Sequence, residues 1–167
     1  STIYLNLLKL IEEKNKKIRV ASSNHNVIKS DDLVLTILSP SGIDYEDLNN
    51  YSIVLKLTYK DVSFLFTGDA EVEAENNIIG DVKSDVLKVG HHGSSSSTSY
   101  NFLKRVNPKI AVISVGKNND YGHPKEKILN RLKENNVKIY RTDLNGNIVI
   151  TTDGYKLKVR TSNGSNS

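Results

Sequence analysis

Hydrophobic positions recur at two different spacings along this chain. Between residues 4 and 11 they fall three and four positions apart, and the charged run EEKNKK follows at 12–17. This spacing predicts an amphipathic helix over residues 3–15. From residue 18 onward the apolar runs are short and are bounded by glycine, proline, serine or asparagine, which is typical of β-strands. The pattern therefore predicts one helix followed by a strand-rich region.

The strand-rich region begins as a meander and continues as alternating strands and helices. Only Lys60 and Asp61 separate two of the predicted strands, which is the connection of a β-hairpin. The predicted strands are 18–21, 27–28, 33–38, 52–59, 62–66, 86–89, 110–114, 137–140, 147–151 and 155–159, and the predicted helices that follow the hairpin are 70–79, 99–106 and 124–134. This order predicts an α/β or α+β sandwich with helices on at least one face of a sheet.

Length and composition set limits on the fold and its chemistry. The 167 residues fit one domain. The absence of cysteine excludes disulfides, thiolate zinc sites and cysteine nucleophiles, so a metal would need imidazole and carboxylate ligands. The apolar runs are far shorter than the roughly 20 residues of a membrane span, and we expect a soluble domain. A net charge of +4, with lysines scattered along the chain, is compatible with a polyanionic substrate without indicating one.

Three polar motifs stand where predicted strands end. They are TGD at 67–69, GHHGS at 90–94 and YGHP at 121–124, and they carry one carboxylate and three of the four histidines. Ligands of layered α/β folds gather where strand ends meet loops. The fourth histidine, His25, lies in a polar turn and is expected to face solvent. The motifs therefore predict a metal site.

Asp69 and the histidine pair are the candidate ligands. Taken alone, Asp69 is better explained as the N-cap of a helix that starts at Ala70. His91 and His92 lie between two glycines directly after a buried strand, a position that favours ligation over packing. Successive side chains of an extended segment point in opposite directions. We therefore expect one of the pair, preferably His91, to face the metal, and the other to orient it or to meet substrate.

The residues after the histidine pair and the loop around His123 are candidate substrate contacts. Ser94 and Ser95 lead into a predicted helix whose first N–H groups could hold a phosphate, with a simple N-cap as the alternative. His123 lies at a helix start and could donate to a phosphate oxygen or act as a general acid, or it is a surface histidine. Asn119 and Tyr121 add hydrogen-bonding groups to the same loop.

Taken in order, these motifs resemble those of a known family. The motifs are NYSIVL at 50–55, FLFTGD at 64–69, LKVGHHGS at 87–94, ISVG at 113–116, NDYGHP at 119–124 and YRTD at 140–143. They resemble the metallo-β-lactamase-like domain of ComEC-type competence proteins and its free-standing relatives, over roughly residues 30–160. The resemblance implies an αββα sandwich with a metal-dependent hydrolase site at the rim between its two sheets. It also implies a phosphodiester substrate, which is DNA for the competence proteins.

The resemblance further implies a role for each candidate residue. Asp69 would bridge two divalent ions, zinc or manganese, and His91 or His92 would be a terminal ligand. His123 would contact substrate at the rim. We therefore take Asp69, His91 and His123 as catalytic candidates, and Asp69, His91 and His92 as metal candidates.

The chain departs from the family in one respect. The motif His-x-His-x-Asp-His, which the first half of such domains normally supplies, does not occur in the sequence. We therefore expect residues 1–160 to be the C-terminal part of a domain and 161–167 to be a disordered tail, with a degenerate relative as the alternative. The absence of methionine at position 1 agrees with a chain trimmed at its start. Such a fragment is expected to bind metal weakly or not at all, and to hydrolyse poorly.

The expected partners follow from the family. They are DNA or another phosphodiester, the rest of the parent domain and a membrane-embedded channel in the parent protein. The parent would be a bacterial membrane-associated protein with this domain outside the cytoplasm, or a free-standing secreted or cytoplasmic relative. Two alternatives stay open: an esterase for small phosphodiesters of the phosphorylcholine type, and a non-catalytic interaction module. A deep pocket at Asp69 would favour the esterase, and a basic groove along Lys117, Lys125 and Arg131 would favour DNA.

Overall fold

A seven-stranded mixed sheet dominates the computed structural model, which describes residues 2–42 and 44–163. The strands of this sheet are β1 (His25–Lys29), β2 (Leu33–Ser39), β3 (Val54–Tyr59), β4 (Val62–Phe66), β5 (Val86–Lys88), β6 (Ile110–Ile113) and β7 (Lys138–Arg141). A separate hairpin consists of β8 (Ile148–Thr152) and β9 (Leu157–Thr161). The helices are α1 (Thr2–Glu13), α2 (Val72–Asn77), α3 (Tyr100–Val106), α4 (Glu126–Glu134) and α5 (Thr142–Asn145). The mixed α/β architecture is thus confirmed.

The strands stand in chain order across the sheet, and their direction changes at β4. Strands β1 to β4 pair antiparallel, and β3 and β4 form the predicted hairpin around Lys60 and Asp61. Strands β4 to β7 pair parallel, with α2, α3 and α4 between them in the chain. Parallel strands end at the same edge of a sheet. The loops that carry the three polar motifs therefore meet at one edge.

One face of the sheet packs against the helices and forms the core. Leu65, Leu87 and Ala111 are register neighbours on β4, β5 and β6, and all three are fully buried. They pack in one cluster with residues of the helices, chiefly Ala74, Phe102, Leu103, Val106, Ile128 and Leu132. Burying a leucine side chain contributes about 1.5–3 kcal/mol to folding. This face alone can therefore support a stable sheet.

The opposite face of the sheet is also apolar but is only partly covered. Phe64, Phe66, Val86 and Val112 line a cleft of about 250 Å³ whose other wall is formed by Ile148 and Ile150 of the β8–β9 hairpin. Phe66 remains 40% exposed. A sheet that is apolar on both faces is typical of an interior layer.

Helix α1 has the amphipathic pattern expected for residues 3–15 but a different environment from the other helices. Every residue of α1 is at least partly exposed. Its apolar residues include Ile3, Leu7 and Leu10, each more than half exposed. None of the helices in the described part of the chain combines the length and apolar character needed to cross a bilayer.

Several predicted boundaries are wrong. Residues 18–21 form no strand among the described residues, and the helix expected over 70–79 is shortened to α2. The helix expected to open at Pro124 begins at Glu126, because the Lys125 N–H donates to Gly93 O at 2.9 Å and holds that segment in a loop. Helix α5 was not predicted. The expected disordered tail at 161–167 lies mostly outside the described residues; residue 161 ends β9.

Candidate metal centre

The candidate site lies at the edge of the sheet where β4, β5 and β6 end. Asp69 follows β4, the histidine pair follows β5, and Ser114 follows β6. The His91 N–H donates to Gly68 O at 3.1 Å, which ties the loop after β5 to the loop after β4. The parallel arrangement thus brings the predicted carboxylate and histidines together.

The histidines lie in a tight left-handed turn and not in an extended segment. His91 has φ 46° and ψ 47°, and His92 has φ 54° and ψ 18°. The Ser94 N–H closes the turn by donating to His91 O at 2.8 Å. Two consecutive non-glycine residues with positive φ are uncommon and costly, and such strain is concentrated at functional sites. The expectation that the two side chains alternate as in a strand is therefore wrong.

The glycine that ends this turn is required by its surroundings. Gly93 has φ +84°, and a Cβ built there would lie 2.6 Å from Cβ of Pro124. The close approach lets the His123–Lys125 loop pack directly against the histidine turn. Glycine at this position therefore permits both the tight turn and the close packing.

His92 presents a free nitrogen to Asp69. Its Nδ1 lies 2.6 Å from the carbonyl oxygen of Ser114. Since a carbonyl can only accept, Nδ1 carries a proton, and in the neutral imidazole Nε2 carries the lone pair. Nε2 lies 3.7 Å from Oδ1 of Asp69, and both side chains are partly exposed. A backbone carbonyl therefore fixes this imidazole in the tautomer that a metal ligand needs.

His91 is anchored through a side chain instead. Its Nδ1 lies 3.1 Å from Oε1 of Glu71, a residue that the sequence did not single out. The ring of His91 lies 6.3 Å from that of His92 and 5.9 Å from that of His123, between centroids. The ring of His91 is therefore a neighbour of both other imidazoles.

Asp69 and His92 fit as two adjacent ligands of a divalent ion. With bonds of about 2.0–2.2 Å, neighbouring ligand atoms of a tetrahedral zinc lie about 3.4 Å apart, close to the 3.7 Å observed. No group of three or more histidine, aspartate or glutamate side chains within residues 2–42 and 44–163 is arranged to hold a metal. Asp69 and His92 therefore stay predicted ligands, and His92 lies closer to Asp69 than the preference for His91 implied.

The alternative role of Asp69 as a helix cap is wrong. Helix α2 begins at Val72, and its N-cap position is Glu71. The first N–H groups of the helix are bound from a distance by Asn50, whose Oδ1 accepts from Glu71 N at 3.0 Å and from Ala74 N at 3.3 Å. The carboxylate of Asp69 is therefore not needed to start the helix.

Lys88 is a second residue that the sequence did not single out. It lies on β5, and its Nζ donates to Gly68 O at 3.2 Å. Burial lowers the pKa of Lys88, while the negative charge of Asp69 acts in the opposite direction. The lysine thus places a cation beside the carboxylate. Its position inside a short apolar strand was the signal that could have identified it.

His123 lies at the rim, in the loop expected to contact substrate. Asn119 holds the backbone of His123 by accepting from its N–H at 2.9 Å and donating to its carbonyl at 2.8 Å. The ring of Tyr121 stacks on that of His123 at 5.8 Å. Burial, then the charges of Lys125 and the other two histidines, lower the pKa of His123. The cleft beneath this loop has a volume of about 200 Å³ and is lined by His92, Val115, Gly116, Asn119, Tyr121 and His123.

The phosphate position expected at the start of α3 is already filled. The carboxylate of Glu75 accepts from Thr98 N and, at 2.9 Å, from Ser99 N, and Glu75 is almost fully buried. Ser94 is buried as well, and its hydroxyl bonds that of Ser96. A protein carboxylate therefore occupies the two N–H groups that lead into α3, and the role of Ser94 as a substrate contact stays a prediction. Ser95 is exposed, and its role as a substrate contact stays a prediction.

Comparison with known families agrees with this arrangement. Residues 6–117 match the family described as the Metallo-beta-lactamase superfamily. The chain belongs to the metallo-β-lactamase superfamily. Proteins of this superfamily generally bind divalent metals, and a carboxylate and an imidazole, as at Asp69 and His92, are groups that such metals accept as ligands.

Three similar proteins narrow the place of the chain within the superfamily. It is 44% identical over 126 residues to ComE operon protein 3 of Bacillus subtilis, 40% over 113 residues to Competence protein ComA of Neisseria gonorrhoeae, and 34% over 125 residues to Recombination protein 2 of Haemophilus influenzae. These alignments cover 74%, 65% and 74% of this chain, and 16% of each relative. The resemblance to ComEC-type competence proteins is thus confirmed. The chain spans about a sixth of the length of these relatives.

Proposed function

We propose that this chain is the C-terminal part of a metal-dependent phosphodiesterase domain of the nuclease type, in a ComEC-like protein that takes up DNA. The contact between Asp69 and His92 carries the proposal. Nε2 faces Oδ1 at 3.7 Å while Nδ1 is anchored on a backbone carbonyl. Superfamily membership and the competence-protein relatives support it.

In this proposal the residues of the chain hold and frame the reacting group. Asp69 and His92, with His91 beside them, would hold a divalent ion. When bound, such an ion polarises a phosphoryl oxygen and lowers the pKa of water. The loop of Asn119, Tyr121 and His123 would bind the phosphodiester, with His123 donating to a phosphate oxygen.

The remaining ligands are assigned to other residues of the parent domain. The family motif His-x-His-x-Asp-His, which this sequence lacks, would supply them. The partly covered apolar face of the sheet supports the assignment, because it offers a surface for a second sheet. The parent domain is thus the first expected partner, and DNA the second.

The expected basic groove is only partly supported. The guanidinium of Arg131 donates to Thr98 O, and Nζ of Lys125 donates to Tyr121 O at 2.7 Å. Two of the three cations expected to line the groove are therefore bound to backbone. The small cleft beneath His123 instead suits a small ester, so a small-molecule phosphodiesterase is the second candidate.

The proposal can be tested on the parent domain, which includes the upstream segment. We expect the purified domain with zinc or manganese to cleave linear DNA and to do so less as salt is added, because contacts to a polyanion weaken with salt. Asp69→Asn and His92→Ala should each lower the rate by at least about 100-fold, since each removes a ligand that supports the metal chemistry.

His25→Ala is the matched control, because His25 is an exposed histidine on the edge strand β1. It should leave the rate unchanged. Cleavage of bis(p-nitrophenyl) phosphate but not of DNA would support the small-ester alternative. If the metal-loaded domain cleaves neither substrate, or if Asp69→Asn retains full activity, the proposed function is wrong.

A further inference from the structure

We propose that Glu71 is a positioning residue that fixes the tautomer and orientation of His91. The inference deepens the proposed function, because it rests on His91 being one of the imidazoles of the metal centre. Neither the motifs of the chain nor its similarity to other proteins assigns a role to Glu71. The structure assigns one through a chain of hydrogen bonds that ends on the His91 ring.

The first step is the contact itself. Oε1 of Glu71 lies 3.1 Å from Nδ1 of His91, and the Ser96 hydroxyl donates to the same oxygen at 2.6 Å. An ionised carboxylate only accepts, so Nδ1 of His91 carries the proton. Nε2 of His91 is left with its lone pair, as in His92.

The second step is what holds the Glu71 carboxylate. The Ser96 hydroxyl has one proton, which it gives to Glu71, so the Ser94 hydroxyl must donate to Ser96 across their 2.9 Å contact. The side chains of His91 and Glu71 are 25% and 19% exposed. A hydrogen bond in such a partly dry place has a stronger electrostatic component than one in water.

The third step is what holds the Glu71 backbone. Asn50 is nearly fully buried, and its Oδ1 accepts from Glu71 N at 3.0 Å. The next residue, Val72, donates its N–H to Ser96 O at 2.9 Å. Glu71 is thus fixed both at its backbone and at its carboxylate, in the position from which it reaches His91.

The two histidines are therefore fixed by different means. His92 is held by a backbone carbonyl, which no side-chain substitution removes, whereas His91 is held by a side chain, which can be changed. Second partners of this kind orient ligating imidazoles and raise their basicity. A change at Glu71 should consequently alter His91 and leave His92 unaffected, which makes His92 an internal control.

The tautomers can be measured directly on this chain by NMR with ¹⁵N-labelled histidine, at a pH where the imidazoles are neutral. We expect wild-type His91 and His92 to be protonated at Nδ1. Glu71→Ala should move the proton of His91 to Nε2 in at least part of the population. Glu71→Gln should keep it at Nδ1, because the amide oxygen still accepts. His92 should stay unchanged in both variants.

Glu134→Ala is the matched control, since Glu134 is an exposed glutamate at the end of helix α4. It should not move the His91 proton. If Glu71→Ala leaves His91 protonated at Nδ1, or if Glu71→Gln shifts it as Glu71→Ala does, the role of Glu71 is wrong. If the alanine variant folds poorly, Glu71→Leu, which likewise has no acceptor, takes its place in the comparison.

A second measurement uses the parent domain and zinc alone. Loss of an outer partner typically weakens metal affinity about 10–100-fold, and we expect that loss in Glu71→Ala with rescue in Glu71→Gln. Unchanged affinity in Glu71→Ala would overturn the positioning role. The proposed function is tested separately by DNA cleavage, so a domain without activity but with the expected tautomer shifts would refute that function and not the role of Glu71.

Discussion

The two faces of the seven-stranded sheet differ in how fully the rest of this chain covers them. On the helix side, Leu65 and Leu87 are fully buried in a continuous core. On the other side, the rings of Phe64 and Phe66 stack 6.4 Å apart, and Phe66 stays 40% exposed. Adjacent residues of β4 thus face a continuous core on one side of the sheet and a partly open surface on the other.

Most of the residues that hold the candidate site in place lie on the helix-covered side of the sheet. Asn50 binds the start of α2, Glu75 fills the start of α3, and the loop before α4 packs against Gly93 through Pro124. Asp69 and the histidine turn can therefore be held in place without a second sheet. The residues of this chain are thus enough to hold the predicted ligands Asp69 and His92 close together.

The sharpest test of the difference between the faces compares two adjacent residues of β4. Leu65→Ala removes a fully buried side chain and should lower the free energy of unfolding by about 2–5 kcal/mol. Phe66→Ala removes a half-exposed ring that stacks on Phe64 and should cost about 1 kcal/mol. Urea denaturation of this chain followed by circular dichroism measures both.

Equal losses of unfolding free energy would contradict the expected difference between Leu65→Ala and Phe66→Ala. Such a result would mean that the Phe66 face is as completely packed as the Leu65 face, and the distinction would fail. In the parent domain we expect the cost of Phe66→Ala to rise, because the proposed second sheet would bury the ring. A cost that stays the same there would argue against a partner on this face.

The sequence was a good guide where hydrophobic spacing decided the outcome. The hairpin of β3 and β4 and the short strands β5 and β6 were predicted to within two residues at each end. Predictions failed where distant hydrogen bonds overrode local preference. Proline at 124 suggested a helix start, but the bond from Lys125 N to Gly93 O holds this segment in a loop.

The second prediction tests the histidine turn, which depends on packing from the helix-covered side of the sheet. Gly93→Ala would place a Cβ 2.6 Å from Pro124 at a backbone with φ +84°. We expect a loss of about 1–3 kcal/mol from the strained backbone, measured by the urea midpoint. Gly116→Ala is the control, because no atom lies within 4 Å of its added Cβ and its φ is not positive. Equal stability of the two variants would show that the turn tolerates a side chain.

The sequence predicted some residues of the site itself but not the residues that hold them in place. Asp69 and the histidines stood out because motifs of a few residues at strand ends suggest ligands. Glu71 and Ser114 were missed because their roles depend on contacts with residues about twenty positions away in the chain. Such contacts leave no local pattern, and only the fold brings them together.

The smallest expected effect concerns Glu75, whose side chain is buried under the helices. Burial raises its pKa above 4.5, although the N–H groups of Thr98 and Ser99 act in the opposite direction. A raised pKa in the folded state gives stability that is present below about pH 4.5 and is lost as pH rises through the folded value. Glu75→Gln removes this dependence. The net change in stability should be small, because the amide avoids burial of a charge but loses one acceptor.

The quantity to measure is therefore how the free energy of unfolding changes with pH, and not its value at one pH. We expect the stability of Glu75→Gln, relative to wild type, to improve between pH 4 and 8 in urea titrations. Asp81→Asn is the control of opposite sign and is measured below about pH 4, because a hydrogen bond from Lys56 lowers the pKa of Asp81 and its titration falls under the unfolded value. That group stabilises above its unfolded pKa of about 3.8 and loses its contribution as pH falls, weakly because the side chain is exposed. If the wild type instead gains stability relative to Glu75→Gln as pH rises, the carboxylate at the start of α3 is stabilised by its hydrogen bonds more than it is penalised by burial.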